Sequence, residues 1–179
     1  MGRHMGQIEL VPFTEAHITD TYLGWLNDKD LMRYSRNRLR DHTRATAREY
    51  LESMKCNPFY AILRDGEHVG NIAAYIDGEN NIADLTILVG KPRFGIGREA
   101  WKLAIAMVFE ETEVRKIEAG TNGFNDAMIR IFTSSGMTSE GRRIKHFNMS
   151  APIGDADLVM YGILRADYEQ ARHNLRGLP

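Results

Sequence analysis

The stretch "VGKPRFGIGREAWKLA", residues 89–104, gathers two glycines and the cations Lys91, Arg93 and Arg98 at the start of a helical run. A glycine-rich turn that enters a helix exposes several backbone N–H groups, and the helix dipole favours an anion there. Gly95 and Gly97 permit positive φ and close approach. The chemistry this predicts is phosphate binding, carried by the backbone of Phe94, Gly95, Ile96, Gly97 and Arg98, with Arg93 adding charge.

Two kinds of phosphate carrier compete for such a loop. "GIGREA" satisfies G-x-G-x-x-A, and Glu118 follows at about the distance of the acid in a dinucleotide site. A dinucleotide fold, however, needs its first glycine directly after a strand of a parallel unit. Here the strand "LTILV" ends near Val89 and Pro92 intervenes before Gly95. Two Asp-Gly pairs upstream, Asp65-Gly66 and Asp77-Gly78, join alternating apolar runs as hairpins, whereas parallel strands need long crossovers. A dinucleotide-dependent oxidoreductase is therefore only an alternative.

The elements that must position the loop follow from periodicity. "QIELVPF" alternates as a strand, and residues 14–28 show helical spacing. The basic run Arg33–Arg44 has no period, and Thr43 is placed to cap a helix over "TRATAREYLESMK". Three strands then share the two hairpins, "PFYAILRD", "EHVGNIAAYID" and "NNIADLTILVG". After the loop come a helix from about 96 to 110, the strand "RKIEAGTN", and a helix from "NDAMIRIFTSSG" that Gly136 stops. Two further strands and a short polar helix complete the chain. Asn125 caps the second of the late helices by its spacing.

With 179 residues the chain suits one domain, assigned to residues 5–179, because "MGRH" reads as a cloning remnant. The 23 basic against 24 acidic side chains give no field that would favour nucleic acid or an anionic membrane. No apolar run approaches the roughly 20 residues of a membrane span. The single cysteine, Cys56, excludes an internal disulfide and fits a reducing cytoplasm, the expected location. The six histidines show no ligand spacing, so no metal is expected.

The order strand, helices, three-strand meander, phosphate loop, helix, strand, helix, two strands resembles the GNAT acetyltransferase superfamily over nearly the whole chain. "RFGIGREAWKLAIAMVFEE" is similar to that family's acetyl-CoA pyrophosphate loop and helix. "NDAMIRIFTSSGMTSEGR" is similar to its Asn-x-x-Ala-x-x-x-Tyr-x-x-x-Gly-Phe segment. The branch it resembles most is the ribosomal-protein N-terminal acetyltransferase-like group, which also contains amino-sugar acetyltransferases. The resemblance implies an α/β (α+β) fold, with a mixed, mostly antiparallel central sheet of about seven strands flanked by helices. It implies acetyl-CoA as co-substrate and a primary amine as acceptor, either a protein N-terminal α-amine or a small-molecule amine such as an amino sugar. Direct transfer in a ternary complex, by a monomer or homodimer, follows from the same resemblance.

The resemblance also distributes roles. Ile87, Leu88 and Val89, splayed from the next strand, would pair the pantetheine arm. Asn125 would contact the coenzyme as well as cap its helix, and Arg130 is a candidate for the 3′-phosphate. Pro92 stands where the family has Gln or Arg, which displaces one cation to Arg93 or Lys91. The family's tyrosine, a proton donor to the leaving thiolate, falls on Phe132, which would pack beside the pantetheine arm. That substitution supports an alternative, a catalytically weak or retired domain that binds acetyl-CoA as a sensor or scaffold. For proton removal from the amine, Asp84 is the first candidate and Glu118 the second, while Tyr161 and His146 on the last strands are placed to reach the acceptor. An α-amine with pKa near 8 is about 10% neutral at pH 7, so one carboxylate acting through water suffices.

Overall fold

Side-chain caps set where the first helices begin in this computed structural model, which describes residues 6–92, 95–149 and 154–176. Thr19 accepts a hydrogen bond from the Tyr22 N–H and opens α1 (Asp20–Asn27). Thr43 accepts from Thr46 N–H and opens α2 (Arg44–Ser53), as its position predicts. The helix expected over residues 14–28 is divided. A 3₁₀ turn occupies Glu15–His17, closed by the Thr14 N–H donating to His17 Nδ1 at 2.9 Å, and the chain leaves helical geometry at Ile18. The arginine-rich run that follows α1 folds as successive turns.

The strands are β1 (Ile8–Pro12), β2 (Phe59–Arg64), β3 (Glu67–Asp77), β4 (Ile82–Val89), β5 (Lys116–Asn122), β6 (Thr138–Asn148) and β7 (Asp155–Leu164). The remaining helices are α3 (Ile96–Glu111), α4 (Asp126–Ser134) and α5 (Arg165–Arg176). Together the strands make a seven-stranded sheet in the order β1-β2-β3-β4-β5-β7-β6. All pairings with a defined register are antiparallel except β4 with β5, which is parallel. The mixed, mostly antiparallel sheet is the expected one.

The two Asp-Gly pairs behave differently. Asp65 and Gly66 both have positive φ, 52° and 78°, the geometry of a two-residue hairpin turn that matches strand twist. At Asp77-Gly78 the loop widens to residues 78–81, because the Asp77 carboxylate accepts from the Glu79 and Asn80 N–H groups, both at 3.1 Å. The left-handed residue there is Asn81, with φ 58°.

The chain packs as two compact units, one from residues up to Tyr75 with Thr86–Ala104, the other from Ile76–Leu85 with Ile105 onward. In the first, α1 and α2 cover one face of the strands, burying Phe13, Tyr22, Trp25, Ala47, Phe59, Ala61 and Ala73. The start of α3 covers the other, where Ile96 and Ala100 pack with Ile62 and Val69. In the second unit Val108, Ile117, Ala119, Phe132, Leu158 and Ile163 are buried. There α4 ends where Gly136 takes φ 82° and the Met137 N–H returns to Phe132 O at 3.2 Å, the stop expected from the sequence. No helix among the described residues is long and apolar enough to cross a membrane.

Candidate active site

In the first unit the C-terminal half of β4 is held by side chains alternating between two cores. Ile87 and Val89 pack with Ile62, Val69, Ile96 and Ala100, whereas Leu88 packs with the α1 and α2 cluster. At the strand end the N–H groups of Gly90 and Lys91 both donate to Val69 O, at 2.8 and 3.3 Å. Trp25 lies flat over Gly90, leaving no room for a Cβ there. Lys91, one of the cations expected to serve an anion, is paired with Glu67.

The glycine-rich entry has the predicted form at its described end. Gly95 takes φ 91°, a conformation that excludes most side chains, and its carbonyl accepts the first helical bond from Glu99 N–H at 3.0 Å. Gly95 is thus the cap residue of α3, and the first N–H groups of the helix, at Ile96, Gly97 and Arg98, have no carbonyl within the helix to reach. The Ile96 side chain is buried, so only its backbone is available, and Arg98 is exposed. This end of α3 fits a pyrophosphate. Arg93 and Phe94, also expected to contribute, lie outside the described residues. The helix follows β4 and leads to parallel β5, so the loop does open a parallel unit, although every earlier strand pairing with a defined register is antiparallel.

The second unit holds the expected proton-handling groups. The parallel register of β4 and β5 runs over Ile82↔Lys116, Ala83↔Ile117 and Asp84↔Glu118, while β4 itself continues to Val89. Asp84 and Glu118 are therefore direct neighbours on one face, on strands about 4.8 Å apart. Asp84 is exposed. Glu118 is half-buried and accepts from Lys116 Nζ at 3.1 Å, and the same ammonium donates to Glu140 at 2.7 Å. Burial works against the charge on Lys116, but its hydrogen bonds to Glu140 and Glu118 prevail and hold its pKa above the usual ammonium value. Sequence reading missed this Glu–Lys–Glu set. The Lys-x-Glu spacing on one strand puts Lys116 and Glu118 on one face, and that was the available signal.

Tyr161 sits on the other face of the sheet. Its register partner on β5 is Ala119, one residue past Glu118, and its ring packs on Phe132 with centroids 5.1 Å apart. Asn125 caps α4 by accepting from Met128 N–H at 3.3 Å, and its Nδ2 donates to Thr121 Oγ1 at 3.0 Å. Arg130 is exposed on α4. His146 lies on β6 with its ring edge-on to Phe147. Thus Asp84 and Glu118 are brought together on one face, and Phe132 and Tyr161 on the other. No group of three or more His, Cys, Asp or Glu side chains able to hold a metal occurs among the described residues.

The sequence pattern of the acetyltransferase (GNAT) domain family matches residues 7–138, and the chain belongs to that family of acyl-CoA N-acyltransferases. No curated protein matches the sequence. Among solved structures, the chain is similar to the spermidine N-acetyltransferase of Vibrio cholerae in complex with CoA and spermine. The TM-score is 0.79 at 15% identity, over 91% of this chain and 98% of that one. It is also similar to RimL, a ribosomal L7/L12 α-N-protein acetyltransferase in complex with CoA, with TM-score 0.78 at 15% identity over 89% and 95% of the two chains. The microcin C7 self-immunity acetyltransferase MccE, in complex with acetyl-CoA and AMP, matches with TM-score 0.73 at 15% identity over 88% and 92%. Ribosomal-protein acetyltransferases thus stand among the structural neighbours, as the resemblance implied.

Proposed function

We propose that this chain transfers an acetyl group from acetyl-CoA to a primary amine, on a protein N-terminus or a small molecule such as an amino sugar, by direct attack in a ternary complex. The observation that carries this reading is the register of β4 with β5, which ends at Asp84↔Glu118 while β4 runs on to Val89. The backbone of Ile87, Leu88 and Val89 is then the edge that pairs the pantetheine arm and polarises the thioester carbonyl. A preorganised N–H donor of that kind contributes about 3–4 kcal/mol to such reactions. The entry to α3 from Arg93 to Arg98 receives the pyrophosphate, with Asn125 and Arg130 on α4 completing the coenzyme contacts and Phe132 beside the arm.

The amine must lose a proton as the C–N bond forms. Asp84 is the base in this reading, with Glu118 beside it and Tyr161 as a further proton-handling group. Asp84 and Glu118 share one face of the parallel pair. Departure of the thiolate needs less acid help than departure of an alkoxide, because a thiol pKa lies near 8.5.

Thermal shift and thiol release test the reading together. Acetyl-CoA is expected to raise the melting temperature and NADH to leave it unchanged; the opposite pattern ends the acetyltransferase reading and revives the dinucleotide one. Free thiol should appear with at least one of a Ser-leading tetrapeptide, glucosamine or spermidine. Binding of acetyl-CoA without thiol release from any amine favours the sensor or scaffold reading, to which the missing hydroxyl at Phe132 lends weight.

A further inference from the structure

In the first unit the cover of α1 and α2 over the strands ends at two phenols. Tyr50 on α2 packs against the core cluster that holds Phe13, Phe59, Ala61 and Ala73, with its ring edge-on to Phe59 and centroids 5.3 Å apart. Its hydroxyl lies 2.6 Å from that of Tyr75 on β3. Tyr75 is 40% exposed, whereas Ala73, two residues earlier on the same face, is fully buried. The strand β2 begins at Phe59, the register partner of Ala73, and Pro58 O accepts from Ala74 N–H at 2.9 Å. Tyr75 thus stands past the end of β2, on accessible surface.

The same surface adjoins the arm segment. Thr86 Oγ1 donates to Ala73 O at 3.4 Å, and Leu88 packs on the cluster that contains Ala73. Ala73, Tyr75, Thr86 and Leu88 therefore share one face, and Tyr75 lies about 7 Å along β3 from Ala73. Thr86 is exposed as well, so the face is open at Tyr75 and Thr86, directly before Ile87–Val89. The two phenols differ in surroundings. Burial, and then the bond to Tyr75, raise the pKa of Tyr50, so Tyr50 keeps its proton. Tyr50 is also the less exposed partner, which makes it the donor within the pair and leaves the Tyr75 O–H to donate outward. A hydroxyl that accepts one hydrogen bond donates the next more strongly.

We propose that the Tyr75 hydroxyl, oriented by Tyr50, donates a hydrogen bond to an oxygen beside the amine that is acetylated, a neighbouring hydroxyl or carbonyl, and so selects oxygen-bearing amines over alkyl polyamines. The inference rests on the N-acetyltransferase reading. An amino sugar presents hydroxyl oxygens next to its amine, and a peptide N-terminus presents its first carbonyl. A polyamine presents ammonium groups, which donate and have no lone pair to accept with. A phenol O–H that faces a polyamine is left without its acceptor, and a site built around such a donor discriminates strongly against a substrate that cannot meet it.

Thiol release with glucosamine, a Ser-leading tetrapeptide and spermidine tests this. The better of the two oxygen-bearing amines is expected to exceed spermidine in kcat/KM with the wild-type protein. Tyr75→Phe keeps the ring and removes the donor, and that advantage should fall about tenfold, the loss of one hydrogen bond. The fall should appear in the acceptor KM, with the KM for acetyl-CoA unmoved. Tyr50→Phe leaves the outward donor without the group that orients it, and should cause a smaller fall in the same ratio. A wild-type preference for spermidine overturns the proposal. So does an unchanged ratio in Tyr75→Phe, and so does an equal loss with all three amines, which marks a purely structural role for the phenol pair. A rise confined to the KM for acetyl-CoA assigns the hydroxyl to the coenzyme and overturns it too. A wild-type protein that acetyl-CoA does not stabilise, or that releases thiol with no amine, is a different failure, that of the underlying acetyltransferase reading.

Discussion

Phe132 on α4 and Tyr161 on β7 pack ring against ring, with centroids 5.1 Å apart and planes inclined by 36°. Phe132 is fully buried and has no hydroxyl, while Tyr161 is only partly buried. A phenol on the neighbouring strand β7 therefore lies against the α4 position that lacks one. Tyr161→Phe is expected to lower kcat by about 10–100-fold, the lower range of general-acid contributions, with little change in the KM for acetyl-CoA. Adding Phe132→Tyr to that variant should restore much of the lost turnover. Steady-state kinetics on the single and double variants decide it: an undiminished kcat in Tyr161→Phe removes Tyr161 from the proton path.

A ring of aromatics makes the first unit sensitive to acid. His68 is surrounded by Phe13, His17, Tyr22 and Trp25, at centroid distances of 5.9, 5.1, 5.8 and 5.3 Å. Burial, reinforced by His17, pulls the His68 pKa from 6.5 down to about 4, and the bond to Gly70 O only partly opposes this. Burial lowers His17 as well. Between pH 6.5 and about 4 the unfolded chain binds a proton at residue 68 that the folded chain refuses, so stability falls as pH falls through that window. Urea unfolding at pH 7, 5.5 and 4.5 should show the decline, and His68→Phe should reduce it. An equal decline in the variant assigns the acid sensitivity to other groups.

Arg165, at the start of α5, closes the end of α3 in the second unit. Its guanidinium donates to the carbonyls of Val114, Phe109 and Thr112 at 2.8, 2.7 and 2.6 Å, and its Cζ lies 4.9 Å from the Phe109 ring centroid. A lysine ammonium is a point donor and cannot span three carbonyls in one plane. Arg165→Lys is expected to cost about 2–3 kcal/mol, measured by denaturant midpoint at constant slope. A change below about 0.5 kcal/mol refutes the bridging role.

Local chemistry was the legible part of this chain. Thr19 was not singled out in the sequence, although it caps α1 by the same logic that identified Thr43 and Asn125. The Asp65-Gly66 turn and the Gly136 stop were readable because each needs only its own backbone and one side chain. Asp77-Gly78 was read as the same kind of turn, yet the outcome depended on the Asp77 carboxylate reaching two N–H groups ahead. The glycine turn into α3 was readable from the sequence, and the positive φ of Gly95 bears it out, while the coenzyme is what the family segments imply. What could not be read were relations across strands. The Lys116–Glu118–Glu140 set and the packing of Tyr161 on Phe132 both depend on register, and a shift of one residue would reverse every face.

Register also separates the two candidate bases. Asp84 and Glu118 are partners across β4 and β5, and Glu118 is bonded to Lys116, which Glu140 also holds. A carboxylate tied to an ammonium gives up that bond when it takes up a proton, so Glu118 serves the fold in holding Lys116. With Asp84 as the proposed base, Asp84→Asn should reduce kcat/KM more than Glu118→Gln. Its deficit should be largest at low pH, where most of the amine is protonated and needs a base, and smallest above the amine pKa, where neutral amine is already abundant. Glu118→Gln should instead lower the denaturant midpoint, because Lys116 loses one of its two carboxylates in a half-buried setting. A pH-independent deficit in Asp84→Asn would show that Asp84 positions the acceptor without taking its proton, and a larger deficit in Glu118→Gln would exchange the two roles.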